Sequence, residues 1–369
     1  GARIARGGEG LSAAPDAPRT RGSWLRYGLD WRLWVGFAIP VVAIAYTLHD
    51  VDLHDVATHI GDASPWIVLA MVPLQVLGLW LRAVRWRWLS LSLAPEPLPL
   101  RPLFRATALA FMAVNILPFR LGELARPWLL AQETEVSGPA AVGTLVLERA
   151  IDFTCVSLMG GLVLLTHAKQ MPGWVSSGAI IFAFFTCVPV AVIVALRVNE
   201  AGSLALINGI LRLFPDALRE RVMGLITEVC RGLAGLRGWR ATSRVILHSA
   251  LLWGVVLPAP FLLGFWAFAI ELPPRTLLLA TFTTNVFVAL AVAAPSAPGF
   301  FGVFHFACRE ALGLFGVPRA VAVAYGTVVH LTYWIPVTLI GGVVAAQTGA
   351  RLSELVGPRL GKAPSDPHR

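Results

Sequence analysis

Long apolar runs separated by short arginine-bearing segments set the pattern of this chain. Six runs read as helices crossing a hydrocarbon core about 30 Å thick. They lie at about Leu33 to Leu48, Pro65 to Leu81, Pro139 to Thr166, Val175 to Leu196, Val245 to Ile270 and Ala320 to Ala346. Two further apolar stretches fit a simple span poorly. Leu103 to Leu117 runs into the polar stretch Pro118–Arg126. Leu277 to Ala294 is broken by Pro295, Pro298 and Gly299, and resumes as Phe300 to Phe315. Proline and glycine at such places end helices and turn the chain.

The loop charges orient these runs, because basic loops stay on the cytoplasmic side. Arg3, Arg6, Arg19, Arg21 and Arg26 put the N-terminal tail inside. Asp50, Asp52, Asp55 and Asp62 mark an outer loop, and Arg82, Arg85 and Arg87 an inner one. Arg101 and Arg105 precede the first interrupted stretch, and Arg120 and Arg126 follow it. It therefore enters and leaves from one side, as a re-entrant hairpin does. The loop from Arg197 to Arg244 and the tail with Arg351, Arg359 and Lys362 are also basic. By the same count the second interrupted stretch enters and leaves from outside.

The predicted fold is an all-α polytopic membrane protein. It has about six spanning helices plus two re-entrant helical hairpins in an inverted repeat, with units at about 65–167 and 244–347. Pro118 and Pro295 occupy matching places in the two units, a plan that transporters use to bring broken helices to the midplane. Residues 1–30, rich in Arg, Gly and Pro, are expected to form a disordered cytoplasmic tail. Residues 31–350 form a single transmembrane domain, and 351–369 a second cytoplasmic tail. Within 204–240, Leu218, Val222, Leu225, Val229, Leu233 and Leu236 recur every three or four positions. This predicts an amphipathic cytoplasmic helix, either on the membrane surface or packed under the spans.

Composition agrees. Hydrophobic residues make up 56% of the chain and charged residues 14%, with mean hydropathy +0.70, far from a soluble domain. The net charge of +9 is carried largely by arginines in loops between apolar runs. Positive-inside bias and anionic headgroups account for it, so no nucleic-acid partner is expected. Cys155, Cys187, Cys230 and Cys308 have no CxxC spacing and the histidines are scattered, so neither a metal site nor a disulfide is expected. No Walker loop, dinucleotide fingerprint, GxSxG or HExxH is present, and no cofactor is expected.

Four groups of residues could carry function. Glu148, Arg149 and Asp152 fall near the middle of the third span, where each charge costs about 2.5–3.5 kcal/mol. They either line a polar cavity or form a self-satisfied pair locking helices. Asn115, Pro118, Arg120, Gly122, Glu123 and Arg126 surround the first break. A helix restarting there aims free N–H groups inward, and paired arginines suit a phosphate. An ordinary basic loop is the alternative. Arg82 and Arg85 share a face beside Trp86 and Trp88, as headgroup ligands or as snorkelling anchors. The fourth group, Pro295 to His305, has Gly299 and Gly302 for close approach at a hairpin tip, and His305 one turn beyond.

With these residues in view, the chain resembles the membrane region of the lysylphosphatidylglycerol synthase/flippase family over about residues 30–350. The carriers are Arg82-Ala-Val-Arg85-Trp86, Asn115 to Arg126, Glu148-Arg149-Ala-Ile-Asp152 and Pro298-Gly-Phe-Phe-Gly302. The resemblance implies a lipid flippase-like region without the soluble aminoacyl transferase of fused members. His305 departs from it, standing where many relatives carry Glu.

The expected function is a flippase-like transporter of a phospholipid or lipid-linked anion. Arg82, Arg85, Asn115, Arg120, Glu123 and Arg126 would bind the headgroup. Glu148, Arg149, Asp152 and His305 would line the cavity. Pro118, Gly122, Pro295, Pro298, Gly299 and Gly302 would form the breaks. The alternatives are a membrane enzyme acting on a lipid-linked substrate, with Glu148 or Asp152 as base, and a scaffold for a lipid-modifying partner. Assembly as a homo-oligomer or with such a partner is compatible with either. The expected location is the bacterial inner (plasma) membrane, with both termini cytoplasmic.

Overall fold

The computed structural model describes residues 31–91, 93–94, 96–117, 120–136, 138–167, 187, 191–192, 194–234, 238–293 and 298–350. The described residues from 36 onward belong to one compact unit, and of residues 1–35 only 31–35 are described. Pro118, Pro295, both predicted tails and most of the predicted fourth span lie outside the described residues.

Every regular element among the described residues is helical. In chain order these are α1 (Trp31–Leu48), α2 (Leu53–Asp62), α3 (Pro65–Leu89), α4 (Leu100–Ile116), α5 (Leu121–Glu133), α6 (Gly138–His167), α7 (Glu200–Leu211), α8 (Asp216–Ala234), α9 (Trp239–Leu251), α10 (Ala259–Ala267), α11 (Pro274–Ala293), α12 (Val303–Gly313) and α13 (Arg319–Thr348). Leu252–Val256 joins α9 to α10 in π-helical form. Pro258 lacks an N–H for the usual bond four residues back, and Leu257 N–H reaches the Leu252 carbonyl at 2.8 Å instead.

Among the described residues, four stretches are long and apolar enough to cross a membrane: Pro65–Leu89, Trp239–Ala267, Pro274–Ala293 and Arg319–Thr348. The chain is thus an all-α polytopic integral membrane protein. α11, expected as one limb of a hairpin, has 20 residues, about 30 Å of helix and enough to span by itself. The amphipathic stretch expected over 204–240 is not one helix. Residues Arg212–Pro215 separate α7 from α8, and α8 packs along α6.

Two large apolar cores and two small ones hold the described helices together. One large core gathers Trp86, Leu103, Met112, Leu130 and Val337; the other gathers Met71, Phe265, Cys308, Leu312 and Tyr325. The first break is held by close packing of α5 on α4. A Cβ on Gly122 would stand 2.2 Å from the Ala110 carbonyl oxygen and 2.6 Å from Val114 N, so only glycine fits. The second break turns through Gly299 (φ 64°) and Gly302 (φ 87°), a region that glycine enters without strain. A Cβ on Gly299 would lie 2.6 Å from Trp334 Nε1 and 3.0 Å from the Asn115 carbonyl, so the two breaks touch.

Candidate functional site

α3, α6 and the start of α5 bring five arginines and three carboxylates together near the contact of the two breaks. Arg85 lies fully buried on α3. Its Nη1 donates to Asp152 Oδ1 at 2.6 Å, and its Nη2 to Glu148 Oε1 at 3.2 Å. Arg126, on α5 and equally buried, places Nη1 3.0 Å from both Glu148 oxygens. Arg149 donates from Nη2 to Glu148 Oε1 at 2.9 Å and pairs with Asp152 Oδ2 at 3.0 Å, with Glu123 3.8 Å away. Arg120 pairs with Glu123 one helical turn on. Asp152 Oδ1 also accepts from Trp253 Nε1 at 2.8 Å.

Burial explains this density. A charge in the hydrocarbon is tolerated when paired and facing protein. Glu148 is shared by three guanidinium groups, and both Asp152 oxygens are engaged. The Arg126 guanidinium also lies over the Trp86 ring, 4.0 Å from its centroid, and Trp86 Nε1 donates to Thr144 Oγ1 at 2.9 Å. The π-helical segment carries Trp253 and packs against α6.

A cavity of about 190 Å³ opens against this cluster. Arg82, Arg120, Glu123, Arg149 and Asp152 form its polar wall. Val288 and Val292 of α11, Phe261, Phe300, Phe304 and Val329 supply apolar lining. The Arg82 guanidinium lies 5.2 Å from the Phe111 ring centroid and has no carboxylate partner among the described residues. Arg120 adopts φ 55°, unusual for a residue with a side chain. From there its Nη1 donates to the Val292 carbonyl at 2.8 Å, and its guanidinium lies 5.5 Å from the Phe300 ring centroid. One side chain thus bridges the break before α5 to both sides of the break after α11.

The residues expected to share one headgroup site divide. Arg82, Arg120 and Glu123 line the cavity, as do Arg149 and Asp152. Arg85, Arg126 and Glu148 stand behind it in the buried ion-pair network and are not among its lining residues. Asn115 donates to Thr338 Oγ1 at 2.9 Å, tying α4 to α13. His305 also lies off the cavity wall, 5.3 Å between ring centroids from His330, whose Nε2 is 2.8 Å from the Gly299 carbonyl oxygen. Gln75, Trp253 and Tyr333 join the lining, although nothing in the sequence pattern singles them out. No group of three or more metal-binding side chains occurs among the described residues.

An integral helical protein with a cavity lined by both charged and apolar side chains is the class this geometry defines. The chain belongs to the lysylphosphatidylglycerol synthase transmembrane-region family, whose sequence model it matches over residues 33–341. Among curated proteins it is similar to the glycosyltransferase AglD of Haloferax volcanii, at 25% identity over 335 residues. That alignment covers 84% of this chain and 53% of AglD, so the chain spans about half the length of that relative. No solved structure matches it.

Proposed function

We propose that the chain is a flippase-like transporter that moves a phospholipid or lipid-linked anion between leaflets. The observation carrying this reading is the cavity where the two breaks meet. Its charged lining suits a phosphate and its apolar lining suits the adjoining chains. Arg82, Arg120 and Arg149 hold the headgroup in this reading. Arg85 and Arg126 act one layer behind, fixing Glu148 and Asp152. The topology that goes with it is six spans plus two re-entrant hairpins in an inverted repeat, with both termini cytoplasmic in a bacterial inner membrane. The hairpins then serve as gates, and the Arg120–Val292 contact is the latch between them.

The name of the AglD relative favours a second reading, an enzyme acting on a lipid-linked substrate. It would need a carboxylate free to take a proton. All four oxygens of Glu148 and Asp152 already face guanidinium groups, which weighs against it. A scaffold for a lipid-modifying enzyme would need no charged cavity. Mass spectrometry separates these readings. Protein purified with its lipids and incubated with them should enrich an anionic lipid and produce no new lipid mass. A new mass that disappears in Asp152→Asn would favour the enzyme.

A further inference from the structure

The charge balance of the cluster narrows the ligand. Arg82, Arg85, Arg120, Arg126 and Arg149 oppose Glu123, Glu148 and Asp152. Five guanidinium groups remain protonated at any physiological pH. Against three carboxylates they leave two positive charges uncompensated among the described residues. The deficit falls on identifiable groups. Arg82 has no ion pair among the described residues. Arg126 reaches only Glu148, which it shares with Arg85 and Arg149, and its Nε and Nη2 are buried without a hydrogen-bond partner. Arg126 is 1% exposed, so bulk water screens it little.

A partly buried excess of this size is costly until a counter-charge arrives. A phosphodiester with one negative charge cancels half of it. A phosphate group with two negative charges cancels all of it, from a cavity wall that already presents Arg82, Arg120 and Arg149. The guanidinium groups are fixed before the ligand arrives, by Glu123, Glu148 and Asp152 on one side and the Val292 carbonyl and Phe111 ring on the other. Binding therefore requires little further ordering of the protein. Resting on the transporter reading above, we infer that the cavity selects a lipid whose phosphate group carries two negative charges, a phosphomonoester or a diphosphate linkage, over a singly charged phosphodiester.

The full chain in phosphatidylcholine nanodiscs tests this. Dioleoyl phosphatidic acid and dioleoyl phosphatidylglycerol share their chains and differ in phosphate charge. The titration is run at about pH 8, well above a phosphate monoester's second ionisation near about 6. Phosphatidic acid should bind at least about tenfold more tightly. Gln75→Glu adds a carboxylate to the cavity wall and should move the ratio toward one, as should Arg82→Gln. Because Gln75→Glu removes no buried cation, it serves if Arg82→Gln fails to fold. Equal binding of the two lipids, or a ratio that Gln75→Glu leaves unchanged, overturns the two-charge assignment while the anion site stands. Binding of neither lipid above the phosphatidylcholine background overturns the anion site itself. Displacement of phosphatidic acid by an equal concentration of inorganic phosphate overturns the lipid half of the assignment.

Discussion

Arg126 and Glu148 form a two-point ion pair, with Nη1 3.0 Å from both carboxylate oxygens, and this pair fastens α5 to α6. Because Glu148 also holds Arg85 and Arg149, its loss strands Arg126 and takes one of the carboxylate partners from each of the other two. Removing one partner of a buried pair costs about 3–5 kcal/mol. Glu148→Gln should therefore lower the melting temperature and folded yield in detergent more than Arg126→Met does. Adding Arg126→Met to Glu148→Gln should recover part of the loss, since the two changes couple. Additive effects, read by size-exclusion chromatography on heated samples, would mean the network is looser than described.

Two glycines differ in what surrounds them. Gly122 has the Ala110 carbonyl 2.2 Å from where a Cβ would stand, and Gly161, in α6, has nothing within 4 Å. Gly122→Ala should destabilise by at least about 1–3 kcal/mol, as overpacking does. Gly161→Ala should be neutral or stabilising by up to about 1 kcal/mol, through helix propensity. Melting curves of the two variants check this, and similar shifts would contradict the α4–α5 packing.

Topology can be probed in a background lacking the four native cysteines. Single cysteines at Arg101 and Gln132 should react with an impermeant maleimide from the cytoplasmic side only. Those at Arg275 and Pro318 should react from the opposite side only. Labelling of Arg101 and Gln132 from different sides would remove the first hairpin, and labelling of Arg275 and Pro318 from different sides the second.

The family, the helical membrane class and most of the charged cluster are legible in the sequence. Arginine and acids inside apolar runs are expensive, so they stand out from the pattern of residues alone. The Arg149–Asp152 pair, three residues apart on one helix, is expected from spacing, and it is present at 3.0 Å. Which arginines meet which acids is not legible. Arg85 and Asp152 are 67 positions apart, and nothing local says that α3 crosses α6 there. Arg85 and Arg126 therefore read as ligands for a headgroup, although they stand behind the cavity wall. Trp253 escapes a reading of the sequence because a π-helical turn has no dependable signal there; Pro258 is the nearest hint. The break at 294–299 masks the 20-residue helix before it, which is long enough to span. Pro215, just before α8, is the mark that residues 204–240 do not run as one helix.

Lipid movement in proteoliposomes tests the central claim most directly. Headgroup-labelled anionic phospholipid in the inner leaflet is followed by quenching from outside as it crosses. Wild-type protein should move the label well above protein-free vesicles. Arg82→Gln with Arg120→Gln should abolish the movement while size-exclusion behaviour stays normal, because neither residue pairs directly with Glu148 or Asp152. Movement by the folded double variant at the wild-type rate, or none by the wild type with any anionic lipid, would contradict the account.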